Sequence, residues 1–357
     1  MKNKEKLLFK NLCKFKSKDF DETLLEYASP TVLGYLFFNR MQAVAYGILK
    51  EKGLLKNVNR EFRNSLKVAY EQNLEKNRSF FWCVRHVTEI LSKCSCTYAM
   101  LKGAFLCGYY PEGYRTSNDI DLLVLPKDLT EIDNALTKAG FLQGHIRNEE
   151  FVKASRKEII ESRMTRGETV PYIKEINMPG MKYLEVDINF SMDYKSGDMQ
   201  VLEEILNCTH TREVFGLKVR TLDYDNFFIH LCGHLYKEAT TLPWVEMKRD
   251  MTLYKYCDIY MLLLDIDDKG IEKIFGRAKT LGMEKICAFV VEQVAVLFDL
   301  DNKYAVSLAK DVLLDTPEFV NTVISPKDNK LFIYIEKDIN KRFFSENRTK
   351  LLKEATV

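Results

Sequence analysis

Apolar residues recur at helical spacing through most of the first 93 residues. Val32, Leu36, Met41, Val44 and Ile48 mark one run between Thr31 and Leu49, and a second extends from Phe62 to Leu91. Such spacing lays an apolar stripe along one side of a helix, so residues 1–95 are expected to form a helical lobe. Breaks fall at Ser29-Pro30 and between Gly53 and Asn59. The texture then changes to short apolar runs closed by Gly or Pro. Thr97 to Leu101 ends at Lys102-Gly103, and Ala104 to Tyr110, a short helix or turn, ends at Pro111. Asp119 to Leu125 ends at Pro126, and a helical stretch from Leu129 to Ala139 ends at Gly140. With further strand candidates at Leu184 to Phe190 and Val214 to Leu222, residues 96–222 read as a mixed α/β core. Helical periodicity returns at Phe227 to Tyr236, Asp250 to Leu264, Ile271 to Leu281 and Lys285 to Phe298. Residues 223–357 are therefore expected to be a second helical lobe, with the Lys-rich tail from Lys327 as a solvated helix face. Glu149 to Thr169 mixes charges of both signs without periodicity and is either a hairpin or loop beside a site or a solvated surface segment. No internal repeat is visible. The fold class expected is α+β, a small mixed sheet between two helical lobes.

Composition narrows the classes. Apolar residues make up 46% of the chain, enough for a substantial core and against wholesale disorder. Lys+Arg of 53 against Asp+Glu of 51 leaves no global field for gripping nucleic acid, so nucleic acid is the less favoured partner. The 9 cysteines are scattered, and Cys94 and Cys96 match no zinc-knuckle or redox spacing, so reduced thiols and a cytoplasmic location are expected. Leu7-Leu8-Phe9 is cut off at Lys10, short of a signal-peptide core, and Ala288 to Phe298 is interrupted by Glu292 and Gln293, so no membrane partner is expected.

The candidate chemistry lies in Arg115-Thr116-Ser117-Asn118-Asp119-Ile120-Asp121-Leu122-Leu123-Val124. Residues i and i+2 of a strand project from one face, so Asp119 and Asp121 stand side by side. Two adjacent carboxylates at the mouth of an apolar strand repel each other and lose hydration, a cost that a divalent cation removes. Two ions about 4 Å apart would serve both the attacking oxygen and a triphosphate. Taken alone, the pair also reads as carboxylates capping the helix at Leu129 or pairing with Arg115. Upstream, Met100-Leu101-Lys102-Gly103-Ala104 is a strand entering a glycine turn, where backbone N–H groups and the Lys102 charge suit a phosphate; an ordinary strand-to-helix turn reads the same way. Downstream, Tyr183 to Phe190 places Asp187 on one face with Glu185 and Asn189, either as a third site carboxylate or on a solvated edge strand.

Together these pieces resemble the nucleotidyltransferase superfamily that includes DNA polymerase β, and within it a bacterial family of uncharacterised nucleotidyltransferases. Leu101-Lys102-Gly103, Tyr110-Pro111, Arg115 and Asp119-Ile120-Asp121-Leu122-Leu123-Val124 are similar to that family's ordered signature. Val186-Asp187-Ile188 looks like its third-carboxylate strand, and His230-Leu231, His234, Lys237 and Asp258-Ile259 look like its helical C-terminal pattern. The resemblance covers residues 30 to 265. Two departures stand out: Gly103-Ala104 replaces the usual Gly-Ser or Gly-Gly, and Asn189 stands where the family commonly has His.

The resemblance implies transfer of a nucleoside monophosphate from an NTP, ATP by default, to an acceptor hydroxyl or phosphate with release of pyrophosphate. Asp119, Asp121 and Asp187 would be the catalytic and metal-holding carboxylates for two Mg²⁺ ions, with Mn²⁺ as the alternative. Lys102, Gly103, Ala104 and Arg115 would face the nucleotide, and Asn189, His230, His234 and Lys237 would line a substrate pocket. His230 and His234 share a helix face at i and i+4 but lack the Glu of a zinc-protease motif, so packing or hydrogen bonding is the expected role. The acceptor is expected to be a small molecule. The competing readings are a toxin that nucleotidylates tRNA or protein, and a non-catalytic nucleotide-binding or antitoxin-like module.

Overall fold

A computed structural model describes residues 1–17, 19–165, 167–192 and 199–355. The chain forms two compact units, one from Met1–Ala69 and Phe228–Val357, the other from Tyr70–Phe227. The dividing point at residue 69 falls inside a 32-residue helix, and the changes of texture near residues 95 and 222 fall inside the second unit.

The first unit begins with helices α1 (Asn3–Cys13), α2 (Pro30–Phe38) and α3 (Gln42–Glu51). Pro30 opens α2 at a position with no N–H to lose, and the Ser29 hydroxyl caps it by accepting from Val32 N–H. The expected single run from Thr31 to Leu49 is two helices, because Arg40 adopts a left-handed φ of 56° between them. The unit takes in the first turns of α4 (Arg60–Leu91) and resumes beyond the sheet elements given next.

The second unit holds β1 (Tyr98–Met100), α5 (Gly103–Leu106), β2 (Asp119–Val124), α6 (Leu129–Lys138), β3 (Leu142–Arg147), β4 (Glu150–Lys153) and α7 (Arg156–Thr165). It continues with β5 (Tyr172–Met178), β6 (Met181–Asn189), α8 (Met199–Asn207), β7 (His210–Val214) and β8 (Leu217–Thr221). Six strands form one sheet in the order β1-β2-β6-β5-β3-β4. β2 and β6 are parallel and the remaining named pairs antiparallel, so the sheet is mixed and the α+β class expected from sequence is the one found. Ile120, Leu122, Leu123 and Val124 are fully buried, as an interior strand with both faces covered requires.

Several local expectations change. Val214 to Leu222 is not one strand: it holds the turn and second strand of a hairpin whose strands β7 and β8 turn at Phe215-Gly216, both with positive φ, as a two-residue hairpin turn demands. It is tied to the main sheet where the Thr221 hydroxyl donates to the Met100 carbonyl at 2.7 Å. The charged stretch from Glu149 to Thr169 includes strand β4 and helix α7, though Arg166 lies outside the described residues.

The first unit resumes within α9 (Tyr224–Ala239) and adds α10 (Leu242–Glu246), α11 (Leu253–Leu264), α12 (Asp268–Thr280), α13 (Glu284–Phe298) and α14 (Lys303–Leu313). α13 is apolar almost all round and is the buried centre of this unit, packed by α11, α12 and α14. The Lys-rich tail is not one helix face. It supplies β10 (Leu331–Tyr334) and β11 (Leu352–Glu354), which join β9 (Thr322–Ile324) in a three-stranded antiparallel sheet, and the short helix α15 (Ile339–Phe343). Its anchor is buried: Arg348 donates to both oxygens of Asp250, with Nη2 2.6 Å from Oδ1 and Nε 2.8 Å from Oδ2. None of the 9 cysteines forms a disulfide, and among the described residues no helix is long and apolar enough to cross a membrane.

Candidate active site

The parallel pairing of β2 with β6 places Asp119 opposite Glu185 and Asp121 opposite Asp187. Because side chains alternate along each strand, all four carboxylates share one face of the sheet. The intervening Ile120, Val186 and Ile188 are fully buried on the other face. Asn189 continues the acidic row along β6 and is itself buried.

Lys102 supplies the nearest counter-charge. The Leu101 N–H donates to the Asp121 carbonyl at 2.9 Å, which brings the next residue alongside. Lys102 Nζ then reaches Asp121 Oδ1 at 2.7 Å, and Asp121 is 3% exposed, so this is a largely desolvated ion pair. The Lys102 backbone sits at φ 42°, ψ −116°, outside the regions an L-residue prefers. Gly103 follows for a reason of packing: a Cβ there would lie 2.4 Å from both Cβ and Oγ of Ser117. α5 has only four residues, so its N-terminus adds little dipole and the positive charge at this turn is that of Lys102. Ala104 is buried beneath the turn.

Ser117 donates to Asp119 Oδ1 at 2.8 Å and orients that carboxylate. Burial alone would raise the Asp119 pKa, but Lys102, the Ser117 hydroxyl and Arg115 outweigh it and hold it below the usual carboxylate range. Arg115 also donates to the Thr116 carbonyl. Across the strand pair the balance reverses. Burial, then Asp121, Glu185 and Asp119, push Asp187 well above the usual range, with Lys102 opposing. Glu185 is raised by burial and by Asp119 and Asp121. Negative charge in this cluster therefore exceeds what its lysine and arginine neutralise.

That excess, carried on hard carboxylate oxygens, fits a divalent cation such as Mg²⁺. Among the described residues, however, no three His, Cys, Asp or Glu side chains are already grouped as a ligand set. Asp121 is turned onto Lys102, so a cation here requires these side chains to re-aim.

Glu185 and Ser117 belong to the site's geometry but were not among the residues singled out from sequence. Glu185 was visible as a face-mate of Asp187, whereas its pairing with Asp119 depends on register. Ser117 lies at i−2 from Asp119, the spacing at which a hydroxyl reaches a strand-opening carboxylate. α4 adds Lys76, which donates to the Asn118 side chain, and Phe80, whose ring lies near Gly103.

His230, His234 and Lys237 lie on α9 in the first unit. His230 is fully buried and Lys237 exposed. His234 Nε2 is 3.4 Å from Glu238 Oε1, and Lys255 pairs with the other oxygen. Glu238, which burial alone would raise, is held at about 2 by those two neighbours. His234, Glu238 and Lys255 thus form a charge cluster within this helical unit.

The second unit thus presents a mixed sheet carrying carboxylates on two parallel strands, with a lysine turn feeding the first. The chain belongs to the family described as uncharacterised nucleotidyltransferase, whose model matches residues 30–299, and general nucleotidyl transfer is the activity class that goes with it. Among solved structures the chain is similar to the crystal structure of an antigenic nucleotidyltransferase-like protein from Paracoccidioides brasiliensis, at 12% identity, covering 64% of this chain and 84% of that one with a TM-score of 0.32. Among curated proteins none matches.

Proposed function

We propose that the chain transfers a nucleoside monophosphate from an NTP, ATP by default, to an acceptor hydroxyl or phosphate. The observation that supports this most is the register that sets Asp119 beside Glu185 and Asp121 beside Asp187, with one lysine among them. Asp119, Asp121 and Asp187 would hold divalent cations, Mg²⁺ by preference and Mn²⁺ otherwise, which supply charge stabilisation to a triphosphate and activate the attacking oxygen. Asp187 has the raised proton affinity that suits a general base, so it would accept the proton of an acceptor hydroxyl. The acceptor oxygen attacks the α-phosphorus, the bond to the bridging α–β oxygen breaks, and pyrophosphate leaves. Lys102, released from Asp121, would bind the triphosphate with the Gly103 and Ala104 backbone, and Arg115 adds positive charge beside Asp119. Asn189, on the acidic face, would contact substrate. His230, His234 and Lys237 are proposed for the substrate pocket on the family resemblance alone.

The test is transfer of label from an NTP tagged at its α-phosphate to an acceptor in cell extract. Transfer that requires Mg²⁺ and disappears in Asp119→Asn supports the reading. Transfer that survives Asp119→Asn combined with Asp121→Asn removes this site from it. One observation favours a second reading, a non-catalytic nucleotide-binding module: Lys102 already occupies Asp121. Metal-independent nucleotide binding without turnover would select it. Label concentrated in RNA or protein would select the toxin-type enzyme.

A further inference from the structure

We infer that the groove along the outer face of α4 binds a nucleotide-type ligand, a flat heteroaromatic ring carrying a phosphate. The groove lies wholly within the sheet-bearing unit and encloses about 550 Å³, within the range of small-molecule sites. α4 contributes Asn77, Arg78, Phe81, Trp82 and Arg85, and the β7–β8 turn contributes Phe215.

Three features point to that chemistry. Rings are presented to solvent where a core would hide them: Trp82 is 49% and Phe215 48% exposed. Phe215 adopts φ 47°, a left-handed conformation costly for a residue with a Cβ, and its ring meets Phe81 edge-on at 4.9 Å. Trp82 stacks on His86 with one face, which fixes its plane. Such platforms suit a nucleobase, since every base has a π-face.

The second feature is charge. Arg78 is held at the rim by Glu112 at 3.7 Å, while Arg85 makes no ion pair among the described residues. Arg85 therefore carries the groove's unbalanced positive charge, a match for phosphate. The third is Asn77, only 1% exposed, whose side-chain oxygen and nitrogen both lack a hydrogen-bond partner among the described residues. A buried amide left in that state costs stability and calls for an explanation. Its paired donor and acceptor are the complement of a base edge. On the nucleotidyl-transfer reading above, such a ligand would be the acceptor, because Lys76, the preceding residue of α4, holds Asn118 beside Asp119.

The experiment uses the full chain carrying Trp244→Phe, which leaves Trp82 as the fluorophore, with Asp119→Asn and Asp121→Asn to silence the carboxylate pair. AMP, GMP, CMP, UMP and a short oligoadenylate are titrated separately. Saturable quenching is expected, weakened about tenfold or more by Arg85→Glu, the loss of one charge-assisted contact. Asn77→Leu should weaken binding while leaving the free chain as stable or more stable, a combination that a purely structural asparagine would not give. Tighter binding of the oligonucleotide assigns a polynucleotide end, and equal binding assigns a free nucleotide; both support the site. No quenching by any probe at millimolar concentration, or affinity unchanged in both Arg85→Glu and Asn77→Leu, overturns it. Because the carboxylate pair is neutralised throughout, failure here leaves the reaction proposed above untouched.

Discussion

Asp121 and Asp187 stand directly opposite each other on two parallel strands, yet Lys102 pairs with one and the other keeps a proton far more readily than a free carboxylate. A single ammonium is shared unequally among crowded acids. The consequences can be measured separately.

Stability without added cation should fall as pH rises. Asp187 and Glu185 bind protons more tightly folded than unfolded, so folding is favoured in acid and loses that advantage as pH climbs from about 4 through their raised folded values. Asp119, with a lowered value, acts oppositely and only below about pH 4. Thermal unfolding from about pH 4 to about pH 7 should show the decline, and millimolar Mg²⁺ should flatten it. A profile indifferent to Mg²⁺ contradicts the cation reading.

Asp187→Asn should stabilise the cation-free chain, since it removes a repelled buried charge, while reducing label transfer about 10²–10⁴-fold as loss of a general base does. Opposite signs for stability and activity separate a functional carboxylate from a structural one. Urea unfolding and the transfer assay on the same preparation read both.

Gly103→Ala should cost about 1–3 kcal/mol, because its Cβ would press on Ser117 and move the hydroxyl that orients Asp119. Chemical denaturation gives the value. A neutral result would mean that Ser117 can turn away freely.

Lys102→Gly and Lys102→Ala remove the same charge from a strained backbone position. Glycine tolerates φ 42°, so Lys102→Gly should be the more stable of the two by about 1–3 kcal/mol. Both should lose NTP affinity alike.

Arg348→Ala should destabilise by about 3–5 kcal/mol by stranding Asp250, a carboxylate 1% exposed and already raised by burial. This change lies in the helical unit, so denaturation rather than nucleotide binding is the readout.

Strands β1, β2 and β6 were legible because strand periodicity is local, whereas β3 and β5 of the same sheet carried no expectation. Asp119, Asp121 and Asp187 alternate with apolar neighbours, and that alternation survives any tertiary context. What remained hidden depended on partners far along the chain. Nothing in the spacing says that Glu185 faces Asp119, or that Lys102 would turn to Asp121 across a gap of 19 residues. The hairpin at Phe215-Gly216 escaped because Phe is a poor marker of a left-handed turn. The tail from Lys327 looked like a solvated helix because exposed lysines mask the short apolar pairs of β10. Beneath that surface, Arg348 and Asp250 tie segments 98 residues apart.

The most direct measurement is isothermal titration of ATP into the chain with and without Mg²⁺, repeated on Asp119→Asn combined with Asp121→Asn. Binding that needs Mg²⁺ in the natural chain and is lost in the double variant is the result expected. Equal binding without Mg²⁺, or full binding by the variant, contradicts a nucleotide site built on these carboxylates.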